Sequence, residues 1–402
     1  MKNEILVCNS GSSSLKLDVF RSGEALNYVA SASVDRIGQS DGPKSELKVE
    51  IQDGKAHKEE DSFPDHRSAL LRISEILQQE SVFLEAHRMA VGHRVVHGGP
   101  EITAPVIINH KVEKTIDECS IYAPLHNPAN LNGIKVAREL FDCPQVAVFD
   151  TAFHAQMPAP ARTYAIPRQL ARKHGIQRYG FHGTSHGYVA EIAARNLNRA
   201  LQDLNLITLH LGNGASACAI HNGISIDTSM GFTPLEGLIM GTRSGDLDPA
   251  IVAYLQEKEK LIFQEVDTLL NRQSGLLGLG GASDMRDLLE KESSGDQDAA
   301  LAIDAFCYRI RKYIGAYFAS IGDPVDAIVF TAGIGENSPA IRQRVMENLF
   351  SDRIYFDREA NEKPLESREG NLLTLDHSPV AVYAIPTDEE WMIARLTRDL
   401  LV

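Results

Sequence analysis

Cationic side chains set among glycines and small hydroxyl residues are the first chemistry this sequence offers. Gly92-His93-Arg94-Val95-Val96-His97-Gly98-Gly99 places a guanidinium two residues from a small apolar side chain. The valines and glycines read as a strand, on which Arg94 and Val96 share a face because side chains alternate. A guanidinium beside a short apolar group suits a small carboxylate with a short tail; an arginine in a structural ion pair would read the same way. His93 and His97 have the four-residue spacing of a metal pair on a helix, but the strand pattern and the lack of a Glu after the first His argue against one. Arg178-Tyr179-Gly180-Phe181-His182-Gly183-Thr184-Ser185-His186 sets His182 just before a predicted helix start, where unpaired N–H groups and the helix dipole favour anions. Met240-Gly241-Thr242-Arg243-Ser244-Gly245-Asp246 puts Arg243 in a small-residue loop, a setting in which arginine clamps phosphoryl oxygens. Asp150 closes a predicted strand, where catalytic carboxylates of α/β sheets commonly stand.

Three turns of small residues could hold phosphate through backbone N–H groups. They are Asn9-Ser10-Gly11-Ser12-Ser13-Ser14 with Lys16 beyond it, 212–216, and 333–337, each leaving an apolar strand. Each alone also reads as an ordinary turn. The standard Gly-x-x-x-x-Gly-Lys-Ser/Thr pattern is missing, and no strand leads through Gly-x-Gly-x-x-Gly into a helix. As a set, Lys16, Arg94, His182 and Arg243 supply positive charge, Asp150 a carboxylate, and the turns a phosphate cradle. Phosphoryl transfer needs that combination, because its catalysis is mostly positioning and charge neutralisation.

The elements that must position these residues follow from hydrophobic periodicity. Ile5-Leu6-Val7 reads as a buried strand, and Leu15, Leu17 and Val19 alternate as its return. Residues 40–61 read as an exposed polar hairpin turning at Asp53-Gly54, and 67–80 as an amphipathic helix. Strands are predicted at 89–96, 146–149, 206–211, 216–220 and 327–330, a hairpin turn at Asn222-Gly223, and a helix from Glu389 to the end. Met157-Pro158-Ala159-Pro160-Ala161 is the candidate domain boundary, since paired prolines break both regular structures. Strand–Asn-Ser-Gly-Ser-Ser–strand near residue 9 recurs as strand–Gly-Asn-Gly-Ala-Ser–strand near 213, which suggests two similar domains.

Bulk properties narrow the class. A chain of 402 residues, 43% hydrophobic and 23% charged, can bury a core without staples and divides into two domains, or three. The 54 acidic against 40 basic residues give a net charge of −14, which argues against nucleic acid or an anionic membrane as a partner. The five cysteines are scattered, so a reducing cytosol is expected rather than a disulfide framework. The N-terminus lacks a signal-peptide core, and no apolar run approaches a membrane span.

The sequence resembles the acetokinase family, the acetate kinases of the actin/hexokinase/Hsp70 ATPase superfamily, from Asn9 to Glu390. The likeness rests on Asn9-Ser10-Gly11-Ser12-Ser13-Ser14-Leu15-Lys16, 92–99, Ala123-Pro124-Leu125-His126-Asn127-Pro128, Phe149-Asp150-Thr151-Ala152-Phe153-His154, 179–186, 210–216, 233–249, 331–337 and 386–390. It implies an α/β fold of two similar RNase H-like domains with mixed sheets around a central cleft. The first would span 1–150 plus a returning 386–402, and the second 151–385 with most of the nucleotide site. The implied activity is reversible, Mg²⁺-dependent transfer of the ATP γ-phosphoryl group to acetate, with Mn²⁺ a second candidate metal. By position, Arg94 would bind the acetate carboxylate, and Val96, Leu125, Phe181 and Pro234 its methyl group. His182 and Arg243 would act on the transferring phosphoryl group, with Asp150 the catalytic carboxylate. Asn9 and Glu389 match metal positions. Lys16, His210, Leu211, Gly212, Asn213, Gly214, Asp284, Met285, Arg286, Gly333, Ile334, Gly335, Glu336 and Asn337 match nucleotide positions. A cytoplasmic homodimer is implied as well.

Two departures stand out: the segment 279–283 is one residue short, and Asp388 replaces the usual Asn beside Glu389. The nearest rival is a propionate or butyrate kinase, since one methylene in an apolar pocket discriminates by only about 1–3 kcal/mol. A nucleotide-gated chaperone or filament of the superfamily is the rival from another class, and it would not need the Arg94, His182 and Arg243 cluster.

Overall fold

The computed structural model describes residues 4–39, 44–82, 89–124 and 126–401, so the proposed methyl-pocket residue Leu125 lies outside the described residues. Its contacts divide the chain into one unit of Met1–Phe153 with Asp388–Val402 and another of His154–Thr387.

In the first unit, β1 (Glu4–Ser10), β2 (Ser14–Ser22), β3 (Leu26–Asp35), β4 (Ser45–Ile51), β5 (Ala56–Asp61), β6 (Met89–Val95), β7 (Val106–Ile107) and β8 (Gln145–Phe149) form one sheet in the order β5-β4-β3-β2-β1-β6-β8-β7. The β1–β6 and β6–β8 pairs are parallel and the remainder antiparallel. The alternation along β1 serves two cores. Ile5 and Val7 pack with Val146 and Val148 of β8 and with Ile393 and Ala394 of the C-terminal helix Glu389–Leu401. Leu6 and Cys8 point the other way, into a cluster with Leu15, Leu17 and Leu70, Ile73 and Leu77 of the helix His66–Gln79. Each fully buried aliphatic side chain contributes about 1.5–3 kcal/mol, which explains why the last helix of the chain docks on the first strand. That docking is close: a Cβ at Gly92 would sit 2.3 Å from Thr397 Oγ1.

The hairpin at residues 40–61 departs from expectation. It turns at Gly54, whose φ is +89°, but Leu47 and Val49 are fully buried. The strand β4 pairs with β3 and extends the sheet, so its alternate residues enter the core while Glu46, Lys48 and Glu50 point away.

In the second unit, β9 (Leu206–Leu211), β10 (Ala215–His221), β11 (Ile224–Thr228), β12 (Ala327–Thr331), β13 (Asn371–Leu372) and β14 (Ala381–Ala384) run in the order β11-β10-β9-β12-β14-β13. Here β9–β12 and β12–β14 are parallel, while β9–β10 and β10–β11 are antiparallel. The directions repeat those of β3-β2-β1-β6-β8, so the echo between residues 9 and 213 marks the opening hairpin of two like-built mixed sheets. The expected α/β class with two similar mixed-sheet domains is what the chain adopts. Asn222 and Gly223, at φ of 51° and 76°, make the tight turn from β10 to β11 that their types predict. The helix Gln297–Ile321 packs on β10 through a buried face that includes Phe306, Ile310 and Ile314.

The proline-rich stretch is not a linker. Ala159–Arg162 is a short helix inside the second unit, with Pro160 in its first turn and Met157 buried before it. Proline suits a first helical turn, whose N–H groups have no intrahelical partner. The glycine-rich stretch after β12 is likewise helical, Ala332–Asn337, entered by Ala332 at φ +64°.

Candidate active site

In the first unit the candidate residues gather at the ends of β6 and β8 and at the start of the last helix. Arg94 on β6 donates from Nε to Asp150 Oδ1 (3.1 Å) and from Nη2 to Asp150 Oδ2 (2.9 Å), and Nη2 also lies 3.3 Å from Glu389 Oε2. Asp150, 2% exposed, follows β8 directly. Burial pushes its carboxyl up; the Arg94 guanidinium opposes that, and Glu389 adds to it. Burial works against the charge of Arg94, but Asp150 and Glu389 outweigh it and hold its pKa above the usual range. The guanidinium is therefore fixed and charged, as a structural ion pair would be. Its Nη1, with two N–H groups, has no protein partner among the described residues and remains available to a carboxylate.

Val96 is buried, its N–H donating to Asn130 Oδ1 at 3.2 Å, and Asn130 in turn donates to Ser10 O at 2.9 Å. His93 bonds Gln145 Oε1 (2.8 Å), and His97 Nδ1 accepts from Gly99 N–H (2.9 Å). Burial lowers the two imidazoles to about 4 and about 3, respectively. They serve local structure and do not converge as a metal pair.

Asn9 and Lys16 are cross-strand partners of the β1–β2 hairpin. Lys16 Nζ reaches Glu390 Oε1 (2.6 Å) and Asp18 Oδ2 (3.6 Å). The partly buried Asn9 carboxamide makes no hydrogen bond within the protein among the described residues. Asp388 Oδ1 accepts the Trp391 N–H at 2.9 Å, a helix-capping bond that Asn or Asp can make.

In the second unit, His182 is the N-cap of Gly183–Asn196, in the left-handed region at φ 56°. Its Nδ1 bonds Ser216 Oγ at 2.9 Å, and its ring stacks on His210 with centroids 4.0 Å apart. His210 Nδ1 bonds Ser185 Oγ (2.8 Å), which also meets Thr387 Oγ1 (2.9 Å). Arg243 donates from Nη1 to Pro234 O at 2.7 Å. No carboxylate pairs with Arg243 among the described residues, and burial alone lowers its pKa. Arg243 and His182 converge on Gly214: a Cβ there would lie 2.8 Å from Arg243 Nη2 and 3.4 Å from His182 Nε2. Phe181 is buried, its carbonyl bonded to His154 Nε2 at 2.9 Å.

A cavity of about 770 Å³ lies in the same unit, walled by 212–213, 283–286, 333–334 and 337–340. That is within the range of small-molecule sites. Gly212, Asn213, Asp284, Met285, Arg286, Gly333, Ile334 and Asn337 line it, whereas His210, Leu211, Gly214, Gly335 and Glu336 do not. Within the shortened segment 279–283, Gly281, φ +73°, terminates Gly275–Gly280. Asp284 then caps Met285–Ser293; hydrogen bonds from Arg286 lower its carboxyl to about 2. Glu336 turns inward instead, accepting N–H groups of Ala332 (2.8 Å) and Thr387 (3.0 Å), and so pins the left-handed turn after β12. Sequence reasoning missed Ser283, Leu289, Ser338, Pro339, Ala340 and Glu362 as lining residues. Leu289 was within reach of it, one helical turn after Met285; Glu362 carries no local signal.

The match to the acetokinase family model covers residues 4–395. An acetate kinase of Clavibacter sepedonicus is 49% identical over 393 residues, 97% of either chain. The crystal structure of Porphyromonas gingivalis acetate kinase covers the whole of both chains at 40% identity and a TM-score of 0.91. A propionate kinase from Francisella tularensis covers 99% of both at 38% identity and a TM-score of 0.90.

Proposed function

We propose, from the premise that the chain belongs to the acetokinase family, a division of labour among its side chains for one reaction. That reaction is the reversible transfer of the ATP γ-phosphoryl group to the carboxylate of acetate, giving acetyl phosphate and ADP. Acetate is already an anion and needs no strong base. The obstacle is bringing one anion to another, so fixed positive charge away from bulk water governs the barrier.

The observation that carries the assignment is Arg243. It is partly buried, converges with His182 on Gly214 and lacks a carboxylate partner among the described residues. A partly buried cation with no carboxylate beside it is favoured by an anion that completes it, and a transferring phosphoryl group is that anion. Arg94 receives the acetate carboxylate through Nη1, and Asp150 holds the guanidinium in place for it. Val96, Phe181 and Pro234, with Leu125, take the methyl group. The 770 Å³ cavity takes the nucleotide, and Lys16 is a further ATP contact.

Asn9 and Glu389 offer an unengaged carboxamide and a carboxylate, hard oxygen donors few enough to suit a Mg²⁺ that keeps water and phosphate ligands. They would hold Mg²⁺, or Mn²⁺ with the same donor preference, which supplies neutralisation of phosphate charge when bound. Cys8, Cys119, Cys143, Cys218 and Cys307 form no disulfide among the described residues, and a reducing cytosol is the compartment we propose. No helix among the described residues is long and apolar enough to cross a membrane. The helices Ala250–Glu259 and Phe263–Arg272 expose Tyr254 (60%) and Phe263 (66%), a face we assign to a second copy of the chain; light scattering should give a dimer that Phe263→Glu weakens.

The propionate kinase likeness makes propionate the second substrate to test. ADP release measured with acetate, with propionate and with no acid decides among the readings. Acetate should be preferred, with propionate turned over more slowly. ATP turnover independent of either acid would overturn the assignment.

A further inference from the structure

Ser216 stands between two imidazoles. Its Oγ is 2.9 Å from His182 Nδ1 and 2.8 Å from His186 Nε2, while His186 Nδ1 is 2.7 Å from Thr208 Oγ1. Ser216, His186 and Thr208 are fully buried. The titratable groups around this chain are imidazoles and one thiol: His154 lies 5.7 Å and His210 6.3 Å from the His186 ring, His210 stacks on His182, and the Cys218 thiol meets Thr208. Burial, with those two neighbours, holds His186 well below the usual imidazole range. His186 is thus neutral, with one ring nitrogen a donor and the other an acceptor.

A serine hydroxyl carries a single proton and two lone pairs, so Ser216 donates to at most one of the two imidazoles and this chain of bonds has three polarities. In one, Thr208 donates to His186 Nδ1, His186 Nε2–H donates to Ser216, and Ser216 donates to His182 Nδ1. The neutral His182 ring then carries its proton on Nε2. In the other two, His182 Nδ1–H donates to Ser216, which either donates on to His186 Nε2 or accepts from both rings, and a neutral His182 presents a bare Nε2 lone pair. The Nε2 edge lies on the Gly214 side, next to Arg243 Nη2. A lone pair there would repel the anion that Arg243 draws in, whereas an N–H would bind it.

We propose that Ser216 and His186 are positioning residues that lock His182 in its Nε2–H form, so that it offers a hydrogen-bond donor to the phosphoryl group without having to be charged. This deepens the assignment of His182 to the phosphoryl group and rests on it. The tautomer of a catalytic imidazole is set by the bond its other nitrogen makes, and here that bond is a relayed one.

The test uses full-length enzyme labelled with ¹⁵N-histidine, in long-range ¹H–¹⁵N spectra with ADP and acetate present. The His182 signals are those lost in His182→Ala. Wild-type His182 should show a protonated Nε2 and a bare Nδ1. Ser216→Ala should give a mixture of tautomers and lower kcat about 10- to 100-fold, with KM for acetate and ATP held within about twofold. His186→Gln keeps an N–H within reach of Ser216 and should retain more activity than His186→Leu. A wild-type His182 protonated on Nδ1 with Nε2 bare would overturn the proposal even if no variant folds, as would a tautomer and kcat unchanged in Ser216→Ala. Full turnover by His182→Ala would instead overturn the catalytic reading of His182, while the spectrum still judges the hydrogen-bond assignment.

Discussion

Gly214→Ala tests the convergence of Arg243 and His182 without removing either. The added Cβ would lie 2.8 Å from Arg243 Nη2 and 3.4 Å from His182 Nε2. Non-bonded heavy atoms settle near 3.5 Å, so the guanidinium must retreat by about 0.7 Å. That motion also strains the 2.7 Å bond from Nη1 to Pro234 O, which fixes its orientation. Gly214 is not among the positive-φ glycines, so alanine fits the backbone and the yielding atom is the end of a flexible side chain. Stability should change by less than about 1 kcal/mol. Catalysis should suffer far more, since misplacing a catalytic group by about 1 Å can cost ~10²-fold, or about 2.7 kcal/mol of barrier. The assay is initial-rate ADP release at saturating acetate and ATP, with thermal unfolding measured in parallel. Gly315→Ala is the control: a Cβ there meets nothing within 4 Å in the middle of Gln297–Ile321, and it should add roughly 0.5–1 kcal/mol of stability at unchanged kcat. A Gly214→Ala enzyme with wild-type kcat would refute the reasoning, because the placement of Arg243 would then not limit the reaction.

Further outcomes follow from the same geometry. Arg243→Ala should lower kcat at least ~10²-fold, with Arg243→Lys recovering part of it as a point charge; near-normal turnover of the alanine variant would remove Arg243 from the phosphoryl group. Val96→Ala should narrow the kcat/KM preference for acetate over propionate by up to ~10-fold, since it adds room for about one methylene; an unchanged ratio places the methyl pocket elsewhere. His93, lowered to about 4 by burial, binds its proton more weakly in the folded protein than in the unfolded chain. Stability should therefore rise with pH between about 4 and the unfolded value of about 6.5, then level off. The bound is about 3 kcal/mol, with His97 adding the same sign. His93→Asn should flatten that rise in urea midpoints compared at pH 5 and 7.5; an unchanged slope would mean His93 is not its source.

Local patterns were legible where one physical rule dominates. The alternation of Ile5, Leu6 and Val7 marked β1 because side chains in a strand alternate sides, and here both sides are core. Asn222-Gly223 marked a hairpin because few residues tolerate left-handed φ. Leu47 and Val49 were misjudged because their flanks are polar; whether a hairpin face is exposed depends on whether another strand pairs with it. Pro158 and Pro160 read as a break in sequence, because the tolerance of proline in a first helical turn depends on where the helix begins.

For the site, the sequence by itself determined which groups are available. Its glycines, its lone cations in small-residue loops and its motif order were enough to reach the family and the reaction. Tertiary structure alone decided which cation is paired. Arg94 and Arg243 look alike in sequence, each an arginine in a segment bounded by glycines. Folding brings Asp150 and Glu389, 56 and 295 residues on, against Arg94, and among the described residues brings Arg243 a carbonyl oxygen and no carboxylate. Pairing of charge is a matter of distances between segments remote in the chain, and no local pattern encodes those. The same holds for Glu336, a carboxylate in a phosphate-like motif that folding turns inward onto backbone N–H groups.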